Sequence, residues 1–161
     1  MNLPFRTVLC PTDLSPSGDA AIAIAHAVTA DGGTVHLLHV CVPVYVTSPL
    51  DATPILALPS TPEGQDKIEK KAMEELLRRT PVASAARGVH TERRVVHEGD
   101  PAAAIEREAA RVGADAIVLG THGRSGLARA LLGSVASAVL SKAKRPVAWT
   151  SFRLARFHAG A

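Results

Sequence analysis

Residues 115–140 read DAIVLGTHGRSGLARALLGSVASAVL, and this stretch decides the fold class. Its first part, residues 115–119, is a short aliphatic run of the kind found in strands that are buried on both faces of a parallel sheet. Gly120 ends the run, and a glycine-containing segment leads from it to Gly133 and Ser134. Apolar residues then recur at helical spacing, at Leu132, Val135, Ala136, Val139 and Leu140. The stretch therefore predicts a buried strand, a glycine loop and a helix, in that order.

The same alternation of aliphatic runs and helical patterns continues on both sides. Four more runs predict strands, at residues 7–10, 35–42, 89–97 and 146–150. Three more helices are predicted, at residues 17–30, at 62–79, and from Asp100 and Pro101 onward. Asp31, Gly32 and Gly33 are expected to end the first of these helices.

Strands that alternate with helices predict an α/β domain, because parallel strands need right-handed helical crossovers between them. We expect one domain over residues 1–161, with its core at about 5–150. Its sheet has five parallel strands in the order 3-2-1-4-5 and helices on both faces. This is a doubly wound, Rossmann-like architecture. A proline-rich loop at 43–62 and a C-terminal tail at 151–161 complete the chain.

Composition excludes several classes of function. The chain has 161 residues, of which 47% are hydrophobic and 3% aromatic, and its net charge is +3. The basic residues are scattered and lack interleaved aromatics, so no nucleic-acid partner is expected. No apolar run approaches the roughly 18 residues of a membrane helix, and no targeting segment is recognisable. Cys10 and Cys41 lack metal-ligand spacing and are read as buried, reduced thiols, which favours a cytoplasmic protein.

Two segments are candidates for one ligand site. In parallel sheets of this kind ligands bind at the carboxyl ends of the strands, where the strand order reverses. Pro11, Thr12 and Asp13 follow the first strand, and Gly120 follows the fourth. Ser134 opens a helix, whose free amides suit a phosphate. The Walker loop and the dinucleotide fingerprint do not fit, because the lysine and the first-strand glycines that they need are absent.

The loop has a specific spacing: Gly120, two residues, Gly123, nine residues, then Gly133 and Ser134. This spacing resembles the ATP-binding signature of the universal stress protein family. Residues 11–15, PTDLS, and residues 97–101, HEGDP, are also similar to that family's pattern. The resemblance spans about residues 5–150.

The resemblance implies an ATP site, with Mg²⁺ or Mn²⁺ as the expected metal ion. Asp13 would contact the ribose hydroxyls, although a carboxylate there also suits a helix cap. Thr12 and Val40, at the ends of the first two strands, would border adenine, and Pro11 would lie in the same site. The implied fold is similar to the adenine-nucleotide α-hydrolase-like domains. Gly120 would let the ribose approach the backbone. The phosphates would lie among Gly123, Arg124, Gly133, Ser134 and Val135, with His122 inside the same loop.

The implied function is that of an ATP-binding stress-response or signalling module, at most a slow ATPase, with no catalytic or metal-ligating residues assigned. Two alternatives stay open: a weak ATPase or phosphotransferase that uses His122 or Asp13, and a non-catalytic interaction protein whose site is empty. The resemblance also implies a homodimer through the fifth strand, which begins at Pro146 and ends at Thr150 and would otherwise expose an apolar edge.

Overall fold

The strands and helices follow the sequence patterns closely. The computed structural model describes residues 5–43, 45–47, 54–56, 61–121, 133–151 and 154–158. The strands are β1 (Phe5–Pro11), β2 (Thr29–Cys41), β3 (Tyr45–Thr47), β4 (Pro54–Leu56), β5 (His90–His97), β6 (Ala116–Gly120), β7 (Val147–Ser151) and β8 (Leu154–His158). The helices are α1 (Pro16–Val28), α2 (Pro62–Arg78), α3 (Pro101–Arg111) and α4 (Ser134–Lys142), with a 3₁₀ helix at Val82–Arg87.

The main sheet confirms the predicted topology. Its order is β5-β2-β1-β6-β7-β8, and the first five strands are parallel. Numbered along the chain, those five give the order 3-2-1-4-5. The more polar β5 lies at one edge, where a strand meets water on one side.

The other edge differs from the expectation. β8 pairs antiparallel with β7, from Val147 opposite His158 to Ser151 opposite Leu154. The predicted tail at 151–161 therefore contains an edge strand, and the expectation that the fifth strand ends the sheet is wrong. Residues 43–62, predicted as a loop, also contain a short antiparallel hairpin, β3–β4.

The sheet separates two apolar cores. On one face α1 and α2 cover a cluster that includes Val8, Ile22, Val35 and Leu76. On the other face α3 and α4 cover a cluster built around Ile105, Ile117, Val139 and Val147. Burial of a strand on both faces accounts for the aliphatic runs from which the fold was predicted. Among the residues that the structure describes, no helix is both long and apolar enough to cross a membrane.

The end of α1 departs from its predicted bound. The helix stops at Val28, and Thr29 is already the first residue of β2. The Thr29 hydroxyl donates to the carbonyl of Ala25 at 2.7 Å, so its side chain satisfies the last turn. Asp31, Gly32 and Gly33 lie within β2, where the register against β1 shifts, and do not end the helix.

His26 is a buried histidine that ties α1 to β5. Its Nδ1 donates to the carbonyl of Ile22 at 2.9 Å, and its Nε2 lies 2.9 Å from the hydroxyl of Thr91. Burial, followed by the nearby charge of Arg93, lowers the pKa of His26, against the opposing effect of its backbone hydrogen bond. The folded state therefore favours the neutral ring.

We predict that the protein loses stability as the pH falls from about 7 to about 5. The pKa of His26 in the folded state lies below its value of about 6.5 in the unfolded state. As the pH falls, His26 is therefore protonated in the unfolded chain before it is protonated in the folded protein, which favours unfolding. His26→Gln should reduce this pH dependence, as measured by urea unfolding at several pH values. An unchanged slope would show that His26 does not contribute.

Candidate functional site

A cavity of about 300 Å³ opens at the carboxyl ends of β1, β2 and β6. It lies where the strand order reverses, between β1 and β6. Its wall includes eight of the residues that sequence reasoning selected: Pro11, Thr12, Asp13, Val40, Gly120, Gly133, Ser134 and Val135. The structure therefore brings together the carboxyl end of β1 and the two ends of the glycine loop, at Gly120 and at Gly133. His122, Gly123 and Arg124 lie outside the described residues.

The turn from β1 into α1 presents Asp13 to the cavity. Oδ1 of Asp13 accepts from the amide of Ser15 at 3.1 Å, and Oγ1 of Thr12 accepts from the amide of Leu14 at 3.1 Å. Oδ2 of Asp13 has no hydrogen-bond partner among the described residues and is available to a ligand. The cap of α1 is Ser15, whose side chain accepts from Gly18, so the cap role considered for Asp13 belongs to Ser15.

Thr12 is fixed from several directions and is 6% exposed. Its amide donates to the carbonyl of Leu38 at 2.8 Å, and its carbonyl accepts from Nδ1 of His39 at 2.8 Å. Gly18 packs so closely on the Thr12 side chain that a Cβ there would collide with it. His39 thus holds the loop beside the cavity.

Gly120 has a packing role that sequence reasoning missed. A Cβ at this position would lie 2.8 Å from the carbonyl oxygen of Ser17, a backbone atom that cannot move aside. The first turn of α1 therefore rests directly on the end of β6. The predicted contact of Gly120 with a ribose remains a prediction.

Gly133 brings the start of α4 back onto the sheet. Its amide donates to the carbonyl of Thr121 at 2.8 Å, and a Cβ on Gly133 would lie 2.8 Å from that same oxygen. Thr121 is in turn bonded to the carbonyl of Thr150 in β7. This contact sets where the helix begins.

The start of α4 differs from the other three helices. Ser15, Thr61 and Asp100 cap α1, α2 and α3 with their side chains. Gly133 has no side chain to cap α4, and no side-chain bond from the described residues replaces it. The first amides of α4, which have no partner inside the helix, therefore point their partial positive charge toward the cavity that Ser134 and Val135 line.

The rest of the wall is largely apolar. Val135, predicted both for the apolar face of the last helix and for the phosphate site, is 40% exposed and lines the cavity. Val42, 41% exposed, lies two residues beyond Val40 on the same face of the chain. Sequence reasoning missed eight lining residues: Gly18, Leu38, Val42, Pro101, Ile105, Leu119, Thr121 and Ala136. The period of two along β2 could have identified Leu38 and Val42 from Val40.

The described lining carries one charged side chain, that of Asp13. Among the described residues no group of three or more His, Cys, Asp or Glu is placed to hold a metal ion. A site with an apolar wall, one carboxylate and an uncapped helix start is suited to a ligand that is apolar in one part and anionic in another.

We predict that Gly120→Ala destabilises the fold by about 1–3 kcal/mol, because α1 must shift to admit the methyl group. Gly99→Ala is the matched control, since a Cβ at Gly99 meets nothing within 4 Å. Urea unfolding of both variants measures the difference. Equal stabilities for the two would mean that the α1–β6 contact is not tight in solution.

Comparison with known proteins identifies the family. The sequence profile of the universal stress protein family matches residues 4–150. The chain is 37% identical over 151 residues to the universal stress protein MJ0531 of Methanocaldococcus jannaschii, which covers 89% of this chain and 80% of that protein.

Solved structures of similar proteins support the same family. The hypothetical protein MJ0577 superposes with a TM-score of 0.67 at 25% identity, over 92% of this chain and 97% of that one. A universal stress protein in complex with cAMP superposes with a TM-score of 0.60 at 25% identity, over 91% and 97% of the two chains. The family profile, the identity to MJ0531 and the shared fold lead to one conclusion: this chain belongs to the universal stress protein family.

Proposed function

We propose that the chain is an ATP-binding module of the stress response, acting in the cytoplasm. One observation carries the proposal: a single cavity joins an apolar wall, a ribose-suited carboxylate and a helix start that lacks a side-chain cap. The related structure in complex with cAMP supports an adenine nucleotide as the ligand.

Each part of the cavity suits one part of ATP. The adenine would lie against Thr12, Val40 and the neighbouring apolar residues. The ribose hydroxyls would donate to Oδ2 of Asp13, since Oδ1 already holds the Ser15 amide. The phosphates would accept from the first amides of α4 and from Ser134, with Gly123 and Arg124 completing the loop. Mg²⁺ or Mn²⁺ would bind through the phosphate oxygens.

The cavity supports binding rather than rapid chemistry. Fast phosphoryl transfer needs fixed cations on the phosphates and a base that orients the attacking group. Asp13, the charged residue of the described lining, already accepts a hydrogen bond from the protein's own backbone. We therefore propose that bound ATP acts as a signal, and that any hydrolysis is slow.

We predict that the protein binds ATP with a Kd of roughly micromolar order, and that Asp13→Ala weakens binding about ten- to a hundredfold. The reason is the loss of hydrogen bonds between the ribose and a charged carboxylate. The affinity for tripolyphosphate, which has no ribose, should fall much less in the same variant. Calorimetry with both ligands measures this.

Asp13→Asn is the matched control, because an amide oxygen can still accept from Ser15. If each variant weakens the binding of ATP and of tripolyphosphate by the same factor, Asp13 does not contact the ribose. A parent protein that binds no ATP would contradict the proposed function, and rapid release of phosphate would favour the enzyme alternative.

We further propose a homodimer that uses the edge of β7. β8 already occupies this edge, so a partner can pair there only if β8 moves. Residues 152 and 153, Phe and Arg, are the whole connection between the two strands. Two-residue hairpin turns favour Gly, Asn or Asp, because their backbone requires positive φ. We therefore propose that β8 strands are exchanged, each pairing with the partner's β7 in the register seen here.

Replacing Phe152 with Asn and Arg153 with Gly should favour the closed hairpin and shift the protein toward a monomer. Light scattering at micromolar concentration should give twice the 16.8 kDa chain mass for the parent and a lower mass for this variant. Phe152→Tyr with Arg153→Lys is the control and should stay dimeric. A monomeric parent, or no difference between the two variants, would contradict strand exchange.

A further inference from the structure

Leu14 has an unusual backbone beside the cavity. Among the described residues it is the non-glycine residue with a left-handed conformation, at φ 63°. This conformation costs a leucine roughly 1–2 kcal/mol, so the surrounding structure must hold it. Leu14 lies between Asp13 and Ser15, so its backbone conformation places the Ser15 amide that donates to Oδ1 of Asp13.

Arg79, from the end of α2, holds this turn from outside. One terminal nitrogen of its guanidinium donates to the carbonyl of Leu14 at 3.2 Å, and Nε donates to Asp19 in the first turn of α1 at 2.8 Å. The other terminal nitrogen donates to the backbone and side chain of Glu75. The side chain of Arg79 is 23% exposed, which limits competition from water. A planar guanidinium can span these three partners at once, whereas an ammonium cannot.

We propose that Arg79 is a positioning residue for the nucleotide site. By bonding the Leu14 carbonyl, it keeps the left-handed turn that presents Asp13 to the cavity. Arg79 does not line the cavity, so its effect on a ligand passes through Leu14 and Asp13. The effect on nucleotide affinity rests on the proposed function, whereas the effect on the turn does not.

The chain contains a matched control for this role. Arg87 also links the segment after α2 to α1, but at the opposite end of that helix. Its guanidinium donates to the carbonyls of His26 and Thr29 and to the carboxylate of Asp31, at 2.6–3.0 Å. None of these partners lines the cavity. Arg79 and Arg87 thus each donate to two backbone carbonyls and to at least one carboxylate, and only Arg79 reaches the Asp13 turn.

The test compares Arg79→Gln with Arg87→Gln in the full chain. Arg79→Gln should accelerate hydrogen exchange at the Ser15 amide, which is bonded to Asp13, and should weaken ATP about three- to thirtyfold. Its affinity for tripolyphosphate should change little. Arg87→Gln should leave both the Ser15 exchange and the ATP affinity at the parent's values, even where its urea midpoint falls as far as that of Arg79→Gln. Arg79→Lys should be intermediate.

Two results would overturn the proposal. One is unchanged exchange at Ser15 in Arg79→Gln, which would show that Arg79 does not hold the turn. The other is an equal loss of ATP affinity in the two glutamine variants, which would reduce the effect to general stability. A parent that binds no ATP but shows the selective exchange would refute the nucleotide function and leave the role of Arg79 in the turn established.

Discussion

The reversal of strand order between β1 and β6 is the constraint on which the site depends. From β1 the chain leaves over one face of the sheet, into α1, and α4 returns to β7 over the other face. Because these connections diverge, a gap opens between the two strand ends. At the end of β6, the backbone of Ser17 rests on Gly120, which lines this gap. A cavity at this point is therefore a consequence of topology, and side chains decide what can enter it.

The presence or absence of a capping side chain at each helix start then determines the partial charges that face the gap. Each of α1, α2 and α3 begins with a side chain that accepts from its own first amides, followed by proline. Those helix starts are satisfied internally. α4 begins after Gly133, and no side chain of the described residues caps it, so its first amides lack both a partner inside the helix and a capping side chain from that part of the chain. Opposing this partial positive charge is the carboxylate of Asp13, which can only accept. Within one cavity, the start of α4 thus favours an anion, and the carboxylate of Asp13 favours a cation or a hydrogen-bond donor.

The sequence predicts the features that depend on local chemistry. Aliphatic runs identify the five parallel strands, and the i, i+4 spacing of Ile68, Ala72 and Leu76 identifies the buried face of α2. Eight of the residues named from the sequence line the cavity, because strand ends and glycines can be recognised in a sequence, and their contact with a nucleotide stays a prediction. β8 was missed, since the sequence LARFH shows neither a clear alternation nor a preceding turn signal.

Other features depend on residues that are distant in sequence. The carbonyl of Leu14 and the guanidinium of Arg79 are 65 positions apart, and nothing near either residue indicates the pairing. Gly120 was predicted to admit a ribose, and the structure adds a second reason for glycine there, since a Cβ would meet the backbone of Ser17. This packing reason can be seen only once α1 is placed on the sheet. Val135 was predicted both for the apolar face of the last helix and for the phosphate site, because periodicity alone does not show how far the first turn of a helix extends beyond the sheet.

The division of the interior by the sheet has a consequence for how the protein opens. The two apolar clusters share strands but no helix. Each pair of helices can therefore separate from the sheet without breaking the apolar contacts of the other pair. α1 is bonded at both ends to the segment around α2, and these two helices should therefore undock as one cooperative unit, independently of α3 and α4. The cavity wall takes residues from α1, α3 and α4. Any ligand that fills it joins the two layers, and so raises the free energy of a partial opening that would otherwise involve only one of them.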